Sequence, residues 1–178
     1  SASLSGTKIR KVALPRFDKQ RDDRLPTAQW PMFDAPASVV ILEGWCVGAR
    51  PQTDAELSAP VNSLERTEDP RGEWRRYAND ALRGTYHELF GRLDMLLLLE
   101  APSFDVVHGW RLEQEHKLRD RVTASGGDMS RVMDDAGVAR FISHYERITR
   151  HILREMPGRA DIVLELDAHR APRRVRGA

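Results

Sequence analysis

The chain has 178 residues, 31% charged and 40% hydrophobic, with a formal net charge of +1. That length suits one soluble domain with a sizeable core, and the near-zero balance leaves bulk electrostatics silent on a polyanionic partner. Cys46 is the only cysteine, which excludes an internal disulfide and a cysteine-based zinc site and fits a reducing compartment, the cytoplasm. Among the cations 24 are Arg and 4 are Lys, a bias that suits phosphate oxygens and equally a GC-rich genome.

Ser1 to Gly6 is small and polar and lacks the charged and apolar regions of a signal peptide. Ile9 to Leu14 reads as a short strand, and Pro15 to Pro36 as a charged loop. Val39-Val-Ile-Leu42 reads as a second strand, buried on both faces and running into Glu43 and Gly44. Asn62-Ser-Leu-Glu65 has the spacing of a capping box, and Asp69-Pro70 that of a helix start. From there Trp74, Tyr77, Ala78, Ala81, Leu82 and Leu89 recur at helical spacing through about Phe90.

Asp94 to Glu100 is an expected third strand. Its apolar core, Met95 to Leu99, falls far short of the roughly 20 residues of a membrane span. Ser103 caps an expected helix carrying Val106, Val107, Trp110, Leu118 and Val122. After the break at Ser125-Gly-Gly-Asp, one amphipathic helix is expected from Val138 to Met156. Asp161 to Leu166 is an expected fourth strand, and 171–178 a loose basic tail beginning after Arg170. Strands separated by long helical stretches imply crossovers, so the fold class is α/β with a mostly parallel sheet, in a single domain over 1–178.

Several of these segments resemble the D-glycerate 3-kinase family of P-loop kinases. They are Phe17-Asp-Lys with Asp22-Asp-Arg24, Val39-Val-Ile-Leu-Glu-Gly-Trp-Cys-Val-Gly48, Pro60-Val-Asn-Ser-Leu-Glu65, Trp74-Arg75 and Trp110-Arg-Leu-Glu-Gln-Glu115. His144-Tyr-Glu-Arg-Ile-Thr-Arg150 and Met156-Pro-Gly-Arg-Ala-Asp161 complete the set. Uridine kinases, phosphoribulokinases and bacterial pantothenate kinases share the strand-to-Glu-Gly pattern more distantly. One departure stands out. The phosphate-cradling G-x-x-x-x-G-K-[ST] is absent, and none of the 12 glycines is followed by lysine.

The resemblance therefore implies the carboxyl-terminal portion of a P-loop kinase fold, incomplete at its amino end. It implies ATP and Mg²⁺ as cofactors, a small-molecule acceptor, and an amino-terminal half of the same kinase as partner. The 178 residues alone are expected to fold poorly or to bind ATP weakly, and to be inactive. The implied reaction is phosphorylation of a small hydroxy acid, D-glycerate. Another acceptor (a nucleoside, pantothenate or a sugar phosphate) stays open, as does a non-catalytic binding module.

Residue by residue, the resemblance makes Glu43 the acid on the Mg²⁺ side, through water, with Gly44 beside the nucleotide. A structural carboxylate is the bland alternative for Glu43. Arg111 and Arg119, eight apart on one helix face, match a lid that closes over phosphates. The competing reading is a solvated face laced by Glu115 and Arg119. Asp18, Lys19, Asp22, Asp23 and Arg24 match acceptor contacts, or else form only a charged turn. Arg147 matches a substrate contact, whereas Arg150 and His151 read as solvated surface. Asp167 and Arg170 fall where adenine lies in similar kinases. No H-E-x-x-H or G-x-S-x-G occurs, and the terminal arginines lack the aromatic interleaving of a nucleic-acid surface.

Overall fold

The computed structural model describes residues 10–18 and 23–177. Its residues group into two compact units, 1–43 and 44–178, where the length predicts one domain.

The first unit holds β1 (Arg10–Ala13), β2 (Phe17–Asp18), β3 (Asp23–Arg24) and β4 (Met32–Ala35). β1 pairs antiparallel with β4, setting Val12 opposite Phe33, and β2 pairs antiparallel with β3. The expected first strand is present, but the expected loop that follows carries three further short strands. Trp30 fastens it by donating from Nε1 to the Leu25 carbonyl at 2.7 Å.

Val39 to Leu42 requires a correction. The segment has no regular structure, and Val39, Val40 and Ile41 are 75%, 81% and 87% exposed. A strand needs a neighbour for its N–H and C=O groups, and no described strand pairs with this one. Four apolar residues in a row are insufficient without that neighbour.

The second unit opens with α1 (Asp54–Leu57), α2 (Ser63–Glu68), α3 (Glu73–Arg83) and α4 (Thr85–Phe90). Asn62 caps α2 as expected, its Oδ1 accepting from the Glu65 N–H at 2.9 Å. The Glu65 carboxylate reaches back to the Val61 N–H, one residue beyond the position a capping box would use. Asp69 does not begin a helix. It ends α2, and its carboxylate accepts from the Trp74 and Arg75 N–H groups, capping α3 from outside. Gly84, at φ −100° and ψ −108°, splits the expected single helix in two.

Next come β5 (Leu97–Glu100), α5 (Phe104–Ser125), α6 (Asp135–Ser143), α7 (Glu146–Glu155), β6 (Ile162–Leu166) and β7 (Pro172–Gly177). Ser103 caps α5 as its sequence predicts, accepting from the Val106 N–H. The helix expected over 138–156 is two helices. At His144 and Tyr145 the backbone tightens to bonds three residues back, on Phe141 and Ile142. The bend aims the two halves at separate cores. Val138 and Ile142 pack with Phe104, while Ile152 and Met156 pack with Ala49, Leu98 and Val163.

β5 and β6 pair parallel, with Leu98 opposite Val163, so the expected crossover exists. The mostly parallel sheet does not: among the described strands this is the one parallel pair, and β7 joins β6 antiparallel. The α/β class stands. The tail is likewise corrected, since 172–177 is a strand. Asp167 accepts from the His169 and Ala171 N–H groups to turn the chain, and Arg176 reaches both Glu165 and Glu100. Basic composition alone gave no sign of that pairing. On the outward face of β5, Leu97 and Leu99 remain exposed.

Candidate functional site

Within the second unit a cavity of about 550 Å³ opens between α1, α2, α3 and α7. Leu57, Leu64, Leu82 and Ile148 supply its apolar walls, and Trp74 stands exposed at its edge. Two buried arginines frame it. Arg147 meets Glu65 through two parallel bonds, Nε to Oε1 at 2.7 Å and Nη2 to Oε2 at 2.6 Å. Its remaining donors reach the carbonyls of Glu56 and Ala59. Arg75 is held by the Leu57 carbonyl, by the Asp69 carbonyl and, more loosely, by the Asp69 carboxylate at 3.3 Å.

These arginines fix the frame rather than offer free charge. Burial alone would raise the carboxyl of Glu65, but the Arg147 bonds, the Val61 N–H and both arginine charges outweigh it and hold it low. Asp69 follows the same pattern, burial being overcome by the Trp74 and Arg75 N–H groups. Asn79 pins the opposite wall, accepting from the Gln52 N–H and donating to the Gln52 carbonyl.

Three further groups lining the cavity were not given this place by sequence reasoning. Burial pushes the Cys46 thiol up to about 11. Arg50 is exposed and makes no ion pair among the described residues. His151, which the sequence suggests is surface, is buried, and its ring is influenced by the Arg50 backbone beside it. The signal for His151 was its place between Ile148 and Ile152 on α7, one turn along the apolar stripe.

Glu43 is exposed at the end of the first unit, after a segment that is not a strand. Asp18 and Asp23 are paired across β2 and β3, and Asp23 accepts from the Arg24 N–H at 2.7 Å. Lys19 and Asp22 lie outside the described residues. Gly44 begins the turn that carries Trp45, whose ring stacks on Tyr145 at 4.9 Å and whose Nε1 donates to Thr149 Oγ1 at 3.0 Å.

The lid pair is engaged in packing. Arg111 lies 2.7 Å from the buried Glu115 carboxylate and 5.4 Å over the Phe141 ring. Arg119 donates to the Met133 carbonyl at 2.9 Å and lines a shallow, open hollow of about 450 Å³. The ion pair one turn apart is thus Arg111 with Glu115, instead of Glu115 with Arg119. Arg147 is likewise consumed by its frame contacts, and no donor of it is left for a substrate. Asp167 is spent on its turn, while Arg170 pairs with Glu113 and lies 5.7 Å over Trp110. Arg150 is surface, as expected, and lies over Phe104.

No three His, Cys, Asp or Glu side chains among the described residues come together as a metal site. No described helix is long and apolar enough to cross a membrane.

No family model matches the chain. It is 32% identical over 140 residues to the uncharacterized kinase mug58 of Schizosaccharomyces pombe, an overlap of 76% of this chain and 47% of that protein. It is 27% identical over 170 residues to the chloroplastic D-glycerate 3-kinase of Arabidopsis thaliana, 91% of this chain and 34% of that one. The solved D-glycerate 3-kinase from Cryptococcus neoformans var. grubii shares the fold, with a TM-score of 0.69 over 94% of this chain and 60% of its own, at 22% identity. The chain spans a third to a half of the length of these two curated relatives. In sequence the chain is similar to kinases, a D-glycerate 3-kinase among them, and it shares the fold of a solved D-glycerate 3-kinase.

Proposed function

We propose that the chain is part of a kinase that transfers the γ-phosphoryl group of ATP to a small hydroxy acid, D-glycerate. The observation that carries this reading is the joint likeness, in sequence and in fold, to proteins named D-glycerate 3-kinase. Phosphoryl transfer needs positioning and charge neutralisation more than covalent chemistry. The phosphate-cradling loop is not among these 178 residues, so the reading assigns it to an amino-terminal segment of the same kinase, and the isolated chain is inactive. The exposed face of β5 suits such a segment, which would cover it. A cytoplasmic location is part of this reading, because Cys46 is the one cysteine of the 178 residues and needs no oxidising compartment.

Magnesium keeps most of its waters and is held by one or two carboxylates together with the nucleotide phosphates. Exposed Glu43 can supply one, through water. Arg119 keeps a partly exposed guanidinium for phosphate, while Arg111 and Arg147 act as framework. Asp18, Lys19, Asp22, Asp23 and Arg24 are offered for the acceptor, and Gly44, Asp167 and Arg170 for the nucleotide. ADP release should be measured on the polypeptide that joins this chain to a G-x-x-x-x-G-K-[ST] segment, with D-glycerate, uridine and pantothenate tried in parallel. Release with D-glycerate alone is expected; release with uridine or pantothenate and none with D-glycerate would overturn the acceptor.

A further inference from the structure

We infer that Trp110 of α5 is a positioning residue for the base end of the nucleotide, holding the loop 167–171 in the shape that receives it. The inference rests on the reading of Asp167 and Arg170 as nucleotide contacts. This loop leaves the carboxyl end of β6, beside the parallel β5, at the rim where open α/β sheets bind ligands. Arg170 stands in it at φ +68°, and no other non-glycine residue among those described has a positive φ. A Cβ disfavours that region, so surrounding contacts must hold the residue there. Within the loop, the Asp167 carboxylate accepts from the His169 and Ala171 N–H groups, and the Asp167 carbonyl accepts from the Arg170 N–H at 3.0 Å. Trp110 holds it from outside. Its Nε1 donates to the Ala168 carbonyl at 2.7 Å, and the Arg170 guanidinium lies over its ring, 5.7 Å from the centroid. One residue thus fixes both backbone and side chain of the loop.

Charge decides which part of the nucleotide suits the loop. Glu113, one turn beyond Trp110 on α5, pairs with Arg170, and Asp167 adds a second carboxylate. A triphosphate therefore meets a cation that is already matched and a carboxylate that repels it. A purine base is uncharged and flat. Glu113 takes the edge of the guanidinium, whereas stacking uses a face of it, and the Arg170 side chain is 44% exposed. Trp110 backs this surface and brings no charge of its own.

Calorimetric titration with ATP and with inorganic tripolyphosphate, each with Mg²⁺, tests this on the polypeptide that joins the chain to a G-x-x-x-x-G-K-[ST] segment. Tripolyphosphate carries the phosphates without the base. The wild type should bind ATP more tightly. Trp110→Ala should weaken ATP about fivefold or more and leave tripolyphosphate within about twofold. Trp110→Phe keeps a ring under Arg170 but no N–H, so its ATP affinity should fall between, and it serves alone if Trp110→Ala does not fold. Hydrogen exchange at the His169 and Ala171 amides, without nucleotide, should be faster in both variants. Unchanged exchange, unchanged ATP affinity, equal weakening of ATP and tripolyphosphate, or a wild type that binds ATP no better than tripolyphosphate would each overturn the inference. Selective loss of ATP affinity, together with no ADP release on D-glycerate by the wild type, would leave Trp110 in this role and overturn the acceptor instead.

Discussion

Arg147 and Glu65 face each other fork to fork, at 2.7 and 2.6 Å, with side chains only 9% and 13% exposed. The pair joins α7 to α2, elements 82 residues apart in sequence. Removing one partner leaves the other charge buried and unmatched. Arg147→Ala should therefore cost about 3–5 kcal/mol in urea unfolding. Arg147→Lys should also destabilise, because a point charge cannot make the two parallel bonds. A substrate-binding arginine would instead leave unfolding unchanged.

The same pair sets a pH dependence. Glu65 has its folded pKa held below the ordinary 4.5. Its stabilisation is thus complete above that value and lost as pH falls through the depressed one. Acid unfolding of Glu65→Gln should show a shallower pH slope below about 4.5 than the wild type, whereas an identical slope would remove Glu65 as a source.

Trp45 offers a second test. Its Nε1 bond to Thr149 Oγ1 joins the turn after Glu43 to α7, and Thr149 Oγ1 also donates to the Tyr145 carbonyl. Thr149→Val keeps the shape and removes both, leaving the indole N–H unpaired. About 1–2 kcal/mol of stability should be lost. Tyr145→Phe keeps the stacked ring and should change stability little.

The two tests rest on contacts of unequal legibility in the sequence. Ser103 and Asn62 announced their helices because a cap needs only a side chain and an N–H two or three residues on. The parallel pairing of β5 with β6 followed from apolar runs separated by helices. Val39 to Leu42 misled, because strand formation depends on a neighbour elsewhere in the chain. The 3, 4, 3 stripe from Val138 to Met156 gave the buried side of the helices but not the bend, which serves two separate cores. His151 and Arg147 were misjudged for one reason: charge and polarity suggest solvent or substrate, while only tertiary packing shows which carboxylate or carbonyl waits opposite.

β7 is a strand that composition hid. Truncation after Arg170 would free the β6 edge and the two carboxylates that Arg176 spans. Hydrogen exchange at the amides of Ile162 to Leu166 should then accelerate sharply, approaching that of exposed loops. Unchanged protection would mean that β7 contributes nothing to the sheet.

Cys46 should resist alkylation. With its thiol pushed up to about 11, the thiolate is scarce at neutral pH, and its reactivity should climb only as pH nears that value. Iodoacetamide labelling at about pH 8 should be slow in buffer and fast in urea, where the thiol returns to its ordinary value of roughly 8.5. Equal rates would contradict the burial.

The most direct measurement is phosphorus NMR of ATP, Mg²⁺ and D-glycerate incubated with the polypeptide that carries both this chain and a phosphate-cradling loop. A new phosphomonoester signal should grow in step with ADP, and it should be absent with the 178-residue chain alone. Growth of inorganic phosphate without a monoester, or turnover by the isolated chain, would contradict the account.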